Sequence, residues 1–93
     1  MATTIDVERL DVMDFMVTVT DESGPTQHFV IASYEEELAF GGNASVEELI
    51  AETFRFLLEH EPHSMIQEHF TLKDIARQFI EYEYEMKRRL NAA

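Results

Sequence analysis

From Val12 to Thr20 apolar and polar residues alternate: Phe15, Val17 and Val19 fall on one side of an extended chain, and Met16, Thr18 and Thr20 on the other. A period of two is that of a half-buried strand. A second run, His28 to Tyr34, is again rich in β-branched and aromatic residues. Between the two, Asp21-Glu22-Ser23-Gly24-Pro25-Thr26 gathers turn-forming residues, so residues 12–34 are predicted as a β-hairpin. An isolated hairpin is marginal in water. It has to pack on helices, add a third strand, or pair with a second copy through an open edge. Residues 1–11 carry few apolar positions and are expected to form a loose lead-in.

Beyond the hairpin the period changes. Glu35–Phe40 has room for one helical turn before Gly41-Gly42-Asn43 interrupts it. Ser45 with Glu48 three residues later is a capping box, and Glu47 and Glu48 suit the positive end of a helix dipole. Val46, Leu49, Ile50, Phe54 and Leu57 then recur at helical spacing until Pro62. Ser64 with Gln67 predicts a short second helix through Met65, Ile66 and Phe70. Thr71 with Asp74 opens a third, with Leu72, Ile75, Ala76, Phe79 and Met86 on one face. Glu83 lands in the middle of that face, so this helix is expected to leave the core near Ile80 and run on towards Leu90. Ile80–Met86 also alternates strictly, as a strand would; Glu83 with Lys87 and Glu85 with Arg89, four apart, favour the helix. The fold class expected is α+β: one domain over residues 1–93, with an N-terminal antiparallel β-hairpin on two or three helices within residues 45–90.

The helical half, Ser45-Val46-Glu47-Glu48-Leu49-Ile50, then Phe54-x-Phe56-Leu57-Leu58-Glu59-x-Glu61-Pro62, then Ile66, Phe70, Leu72 and Ile75, resembles a family of short bacterial proteins with a hairpin-like first half. The turn at Val17–Gly24 and the following His28 fit the same resemblance, which covers about two-thirds of the chain. It implies a shared fold. It carries no activity with it, because the matching residues are mostly apolar or turn-forming.

Composition narrows the classes of function. Hydrophobic residues make up 45% of the 93, ordinary for a folded domain. The absence of cysteine excludes disulfides, thiolate nucleophiles and zinc–thiolate sites, and fits a cytoplasmic setting. The N-terminus lacks the basic start and apolar run of a signal peptide, and no apolar stretch approaches a membrane span. The net charge of −12 repels phosphate backbones and anionic membranes, so neither nucleic acid nor membrane is an expected partner. Charge is also uneven: residues 1–44 hold nine acids and one base, residues 45–93 ten acids and six bases. The bland reading is a solvated acidic surface; the sharper one is a basic partner, or an acidic inhibitor or mimic of nucleic acid.

Candidate chemistry concentrates in Glu59-His60-Glu61-Pro62-His63 and Glu68-His69. Imidazole with carboxylate binds divalent metals and exchanges protons near neutral pH, making Glu59, His60, His63 and His69 candidate ligands or acid–base groups. Their spacing is not that of the helical His-Glu-x-x-His zinc site, and Pro62 leaves their directions unset. The plainer reading makes His60 a packed or capping histidine and His63 and His69 surface residues. His28 sits apart, and nothing in the spacing joins it to the others. Gly41–Ser45 reads as a turn and cap, without the lysine of a phosphate loop. No serine occupies a Gly-x-Ser-x-Gly elbow, and no cofactor is called for. Tyr82, Tyr84 and Met86 form an aromatic-rich stripe, expected either at an interface or partly buried against the protein's own hairpin. Together these features point to a small cytoplasmic protein acting through protein–protein contacts, as a homodimer, rather than to an enzyme.

Overall fold

In the computed structural model, which describes residues 2–90, the alternating run becomes β2 (Asp14–Asp21) and the next run β3 (Gly24–Ile31). Met1 and residues 91–93, part of the single domain expected from the sequence, lie outside the described residues. Asp21 pairs with Gly24 across a two-residue turn at Glu22 and Ser23. Gly24 has φ +107° with open space around it, so the position demands glycine for its backbone and not for lack of room.

The lead-in is not loose. Thr4–Arg9 forms β1, antiparallel to β2, with Ile5 opposite Val19 and Val7 opposite Val17. Two inward apolar residues suffice once a formed neighbour offers its ladder of hydrogen bonds, and too few apolar residues mark the segment by pattern alone. On the other side β3 pairs in parallel with β4 (His69–Thr71), three residues where the sequence suggested a helix. The result is a four-stranded α+β sheet in the order β1-β2-β3-β4.

α1 (Tyr34–Glu36) widens into a π-turn over Glu37–Gly41. α2 (Val46–Leu58) starts at Ser45, whose hydroxyl accepts from the Glu48 amide, one half of the capping box its sequence predicts, and donates to the Glu48 carboxylate. It buries Val46, Leu49, Ile50, Thr53, Phe54, Phe56 and Leu57. A Cβ on Gly41 would stand 3.3 Å from Leu49 Cδ2, so this glycine lets the π-turn close onto α2. After a 3₁₀ turn at His63–Met65 and β4, Thr71 both ends the strand and caps α3 (Leu72–Gln78), in a full capping box with Asp74.

The last helix is not continuous. Phe79 has extended backbone (φ −121°, ψ 109°), and α4 (Tyr82–Leu90) restarts after it. The break resets the helical phase. A straight helix would carry Glu83 inward with Phe79 and Met86; after the break Tyr82 and Met86, four apart, point inward and Glu83 faces out. Two of the three residues of the aromatic-rich stripe are core: Tyr82 and Met86 are 0% exposed, whereas Tyr84 is 67% exposed.

Tyr82 joins the layers. Its ring meets Phe40 at 5.2 Å and Phe56 at 5.6 Å, both edge to face. Its hydroxyl donates to Thr53 Oγ1 at 2.7 Å, because the Thr53 hydrogen goes to the Leu49 carbonyl. Burial keeps the phenol un-ionised far above its ordinary range. Arg89 clamps α4 to α2 through Glu52 at 3.1 Å and Glu59 at 2.8 Å, with its guanidinium over Phe56. Among the described residues no helix is long and apolar enough to cross a membrane. Urea unfolding checks the Tyr82 assignment: Tyr82→Ala is expected to cost about 3–5 kcal/mol and Tyr82→Phe roughly 1 kcal/mol, while Tyr84→Ala stays within about 0.5 kcal/mol.

Candidate functional site

The structure disperses the four residues that were candidate metal ligands. Glu59 Oε1 accepts from Arg89 Nη2 at 2.8 Å. His60, one turn after Phe56 at the end of α2, lies against Phe56 at 4.7 Å and Phe79 at 4.8 Å. His69, on β4, stacks on Phe29 at 5.1 Å and stands exposed beside Glu68. His63 alone is buried. Among the described residues no three metal-ligating side chains are placed so that they could hold a metal ion.

A different grouping forms instead. β3 turns His28 inward with Val30, and the parallel pairing of β3 with β4 lays the chain from His63 to Glu68 alongside it. His28 Nδ1 lies 2.8 Å from the Gln67 carbonyl, which only accepts, so Nδ1 carries a hydrogen. His28 Nε2 is 2.8 Å from Thr26 Oγ1, and the same hydroxyl is 2.7 Å from His63 Nδ1. His63 Nε2 reaches Asp21 Oδ1 at 2.9 Å. Ser23 closes the far end, donating its hydroxyl to Asp21 at 2.6 Å and its amide at 2.8 Å. These bonds, the Ser23 hydroxyl first and His63 second, hold the Asp21 carboxyl down at about 2 from an ordinary 3.8.

Both nitrogens of each imidazole are engaged, leaving no lone pair for a metal. Thr26, His63 and Asp21 follow the order hydroxyl–imidazole–carboxylate of nucleophilic catalysis. Here, however, the hydroxyl is held between two imidazoles. The array is a fastening of the β2–β3 turn to the chain leading into β4. Sequence reasoning missed it because His28 and His63 are brought together only by β4; the one local signal is that His28 shares the inward phase of Val30.

A second feature lies on the opposite face of the sheet. Phe15, Val30 and Phe70 are register-aligned and point inward. On the outer face their backbone becomes the floor of a trough between two rows of side chains. One row is Met16, Phe29 and His69; the other is Asp14, Ile31 and Thr71. The rows stand roughly 7 Å apart, two residues along a strand. Leu10 and Asp11 close one end, and the trough encloses about 620 Å³. Past Ile31 and Thr71 it continues into a second hollow of about 470 Å³ beside Glu35, Ala39 and Phe40. Ile31 is 46% exposed, and Leu10 at the end of the trough is exposed as well. Carboxylates of Asp11, Asp14 and Glu35 line the rim; that of Glu36 is turned to the Ser33 and Lys73 amides.

Comparison with protein-family models, with curated proteins and with solved structures finds no match to this chain.

Acid titration checks the Asp21 geometry. Its folded value lies below its unfolded one, so the carboxylate stabilises the fold above about pH 4, and that contribution is lost as pH falls towards about 2. The urea midpoint of the native protein is expected to drop through that window, with a shallower drop in Asp21→Asn.

Proposed function

We propose that the protein acts in the cytoplasm as a non-enzymatic binding module whose trough takes an apolar segment of another protein flanked by Lys or Arg. The observation that carries this reading is the continuity of exposed apolar walls with an acidic rim, on the outer face of the sheet. Apolar area supplies affinity, and the carboxylates select a basic partner and speed its approach. A net charge of −12 extends the same preference over long range. This places the basic-partner expectation ahead of nucleic-acid mimicry, for which an apolar trough has no use.

Charge placement also favours a different protein over a second copy. β1 is the long open edge, and Asp6 and Glu8 sit on its outer face. Two copies joined antiparallel along β1 set Asp6 opposite Asp6 in one central register and opposite Glu8 in the other. Like charges directly opposed disfavour both.

The test titrates isotope-labelled protein with a short synthetic peptide of Leu, Phe, Lys and Arg, followed by amide shifts. Changes are expected to cluster at Leu10, Asp14, Ile31 and Thr71. Asp11→Asn with Asp14→Asn should weaken binding roughly threefold to tenfold, what one or two exposed ion pairs supply, and added salt should mimic them. Ile31→Glu should abolish it. Shifts scattered over the surface, or affinity indifferent to salt, contradict the proposal. A dimer in sedimentation with Ile31 at its interface would replace it by self-association.

A further inference from the structure

From the Gln67 carbonyl through His28, Thr26 and His63 to the Asp21 carboxylate runs an unbroken line of four hydrogen-bond contacts, 2.8, 2.8, 2.7 and 2.9 Å long. Both ends only accept: one is a peptide carbonyl, the other a carboxylate. Four hydrogen bonds need four hydrogens. The Thr26 hydroxyl brings one, and two neutral imidazoles bring one each, so three are present. Ser23 does not supply the fourth. Its hydroxyl is 2.6 Å from Asp21 and 3.2 Å from His63 Nε2, and turning its single hydrogen from one to the other trades one bond for another.

We propose that His28 and His63 hold one extra proton between them at neutral pH, and that this proton fastens the β2–β3 turn to the chain leading from α2 into β4. Without it, two lone pairs must face each other somewhere on the line. The worst placement sets His63 Nε2 bare against the Asp21 carboxylate at 2.9 Å.

Two arrangements satisfy every contact. In one, His63 is the imidazolium: Nε2 donates to Asp21, Nδ1 donates to Thr26, and the Thr26 hydroxyl donates to His28 Nε2. In the other, His28 is the imidazolium, and the hydrogens on both sides of Thr26 are reversed. Passing from the first to the second moves the His63 Nδ1 proton to the Thr26 oxygen as the Thr26 hydrogen goes to His28 Nε2, so no atom is gained or lost. The first keeps the positive charge against Asp21 and is favoured for that reason.

The groups facing the pair agree with this assignment. Asp21 meets it from the end of β2, and Glu68 lines the hollow beside it just before β4. α2 presents the Phe54 ring to His28 at 5.4 Å, while Ser64 and Gln27 are polar and uncharged. Both charged groups are anions, and His28 and His63 are themselves buried while every buried polar side-chain atom among the described residues has a partner. The unfolded chain has no such line. The folded state thus binds more protons than the unfolded, and stability falls as pH rises through the range where the pair gives its proton up.

The experiment reads the ring nitrogens of the full chain by long-range ¹⁵N NMR at about pH 7, with His60→Gln and His69→Gln used to assign His28 and His63. Two N–H groups are expected on one of the two rings, His63 foremost, and one on the other. The urea midpoint of the native protein should fall as pH rises above neutrality. In Asp21→Asn the carboxamide either donates to Nε2 or leaves the imidazolium without its counter-charge, so the doubly protonated fraction and most of that pH dependence should be lost. Thr26→Ser keeps the hydroxyl and should keep both signatures. Two neutral rings in the native protein, or an undiminished doubly protonated fraction in Asp21→Asn, would overturn the proposal.

Discussion

One amphipathic helix has one apolar face, and α2 spends it on one face of a four-stranded sheet. Everything else in the molecule is arranged around that one-sided cover. Phe15, Val17, Val19 and Val30 meet Leu49, Ile50, Phe54 and Leu57 in a single layer of core. α4, restarting after the break at Phe79, adds Tyr82 and Met86 at its flank. On the opposite face of the sheet Ile31 stays 46% exposed.

The buried histidines belong to the margin of this core. His28 follows the inward alternation of β3 to a place where α2 offers the Phe54 ring, and the Gln67 carbonyl meets it from the chain leading into β4. A polar group taken out of water there has to be matched bond for bond, since each unmatched one costs about 1–3 kcal/mol. Thr26, Asp21 and the Gln67 carbonyl provide the match. Their acceptor-only ends make the proton inventory of the array a property of the fold. The same one-sidedness exposes the trough on the other face, where apolar residues on the outward phase of β3, Phe29 and Ile31, have acids for neighbours.

The parts of this architecture governed by local pattern were legible in the sequence. The alternation of Phe15, Val17 and Val19, the Gly24 turn, and the caps at Ser45 and Thr71 each depend on residues close in the chain, and each stands where its pattern places it. What escaped depends on pairing at a distance. β1 is an acidic segment made a strand by β2, and β4 is three residues made a strand by β3. The break at Phe79 leaves Glu83 facing out, and of the apparent interface stripe Tyr82 and Met86 are core while Tyr84 stands outside. The histidine cluster that looks dense in sequence is spread over a helix end, a 3₁₀ turn and a strand, and the histidine it omitted, His28, is the one that completes the array.

The central claim is that the outer face of the sheet is open at the trough while the inner face is closed. Paramagnetic broadening of methyl signals by a soluble gadolinium chelate tests it directly. Ile31 and Val30 are neighbours on β3, 46% and 1% exposed. The account predicts strong broadening of the Ile31 methyls and little at Val30 or Val17. Protection of Ile31 equal to that of Val30 would mean that the face is covered, and would contradict it.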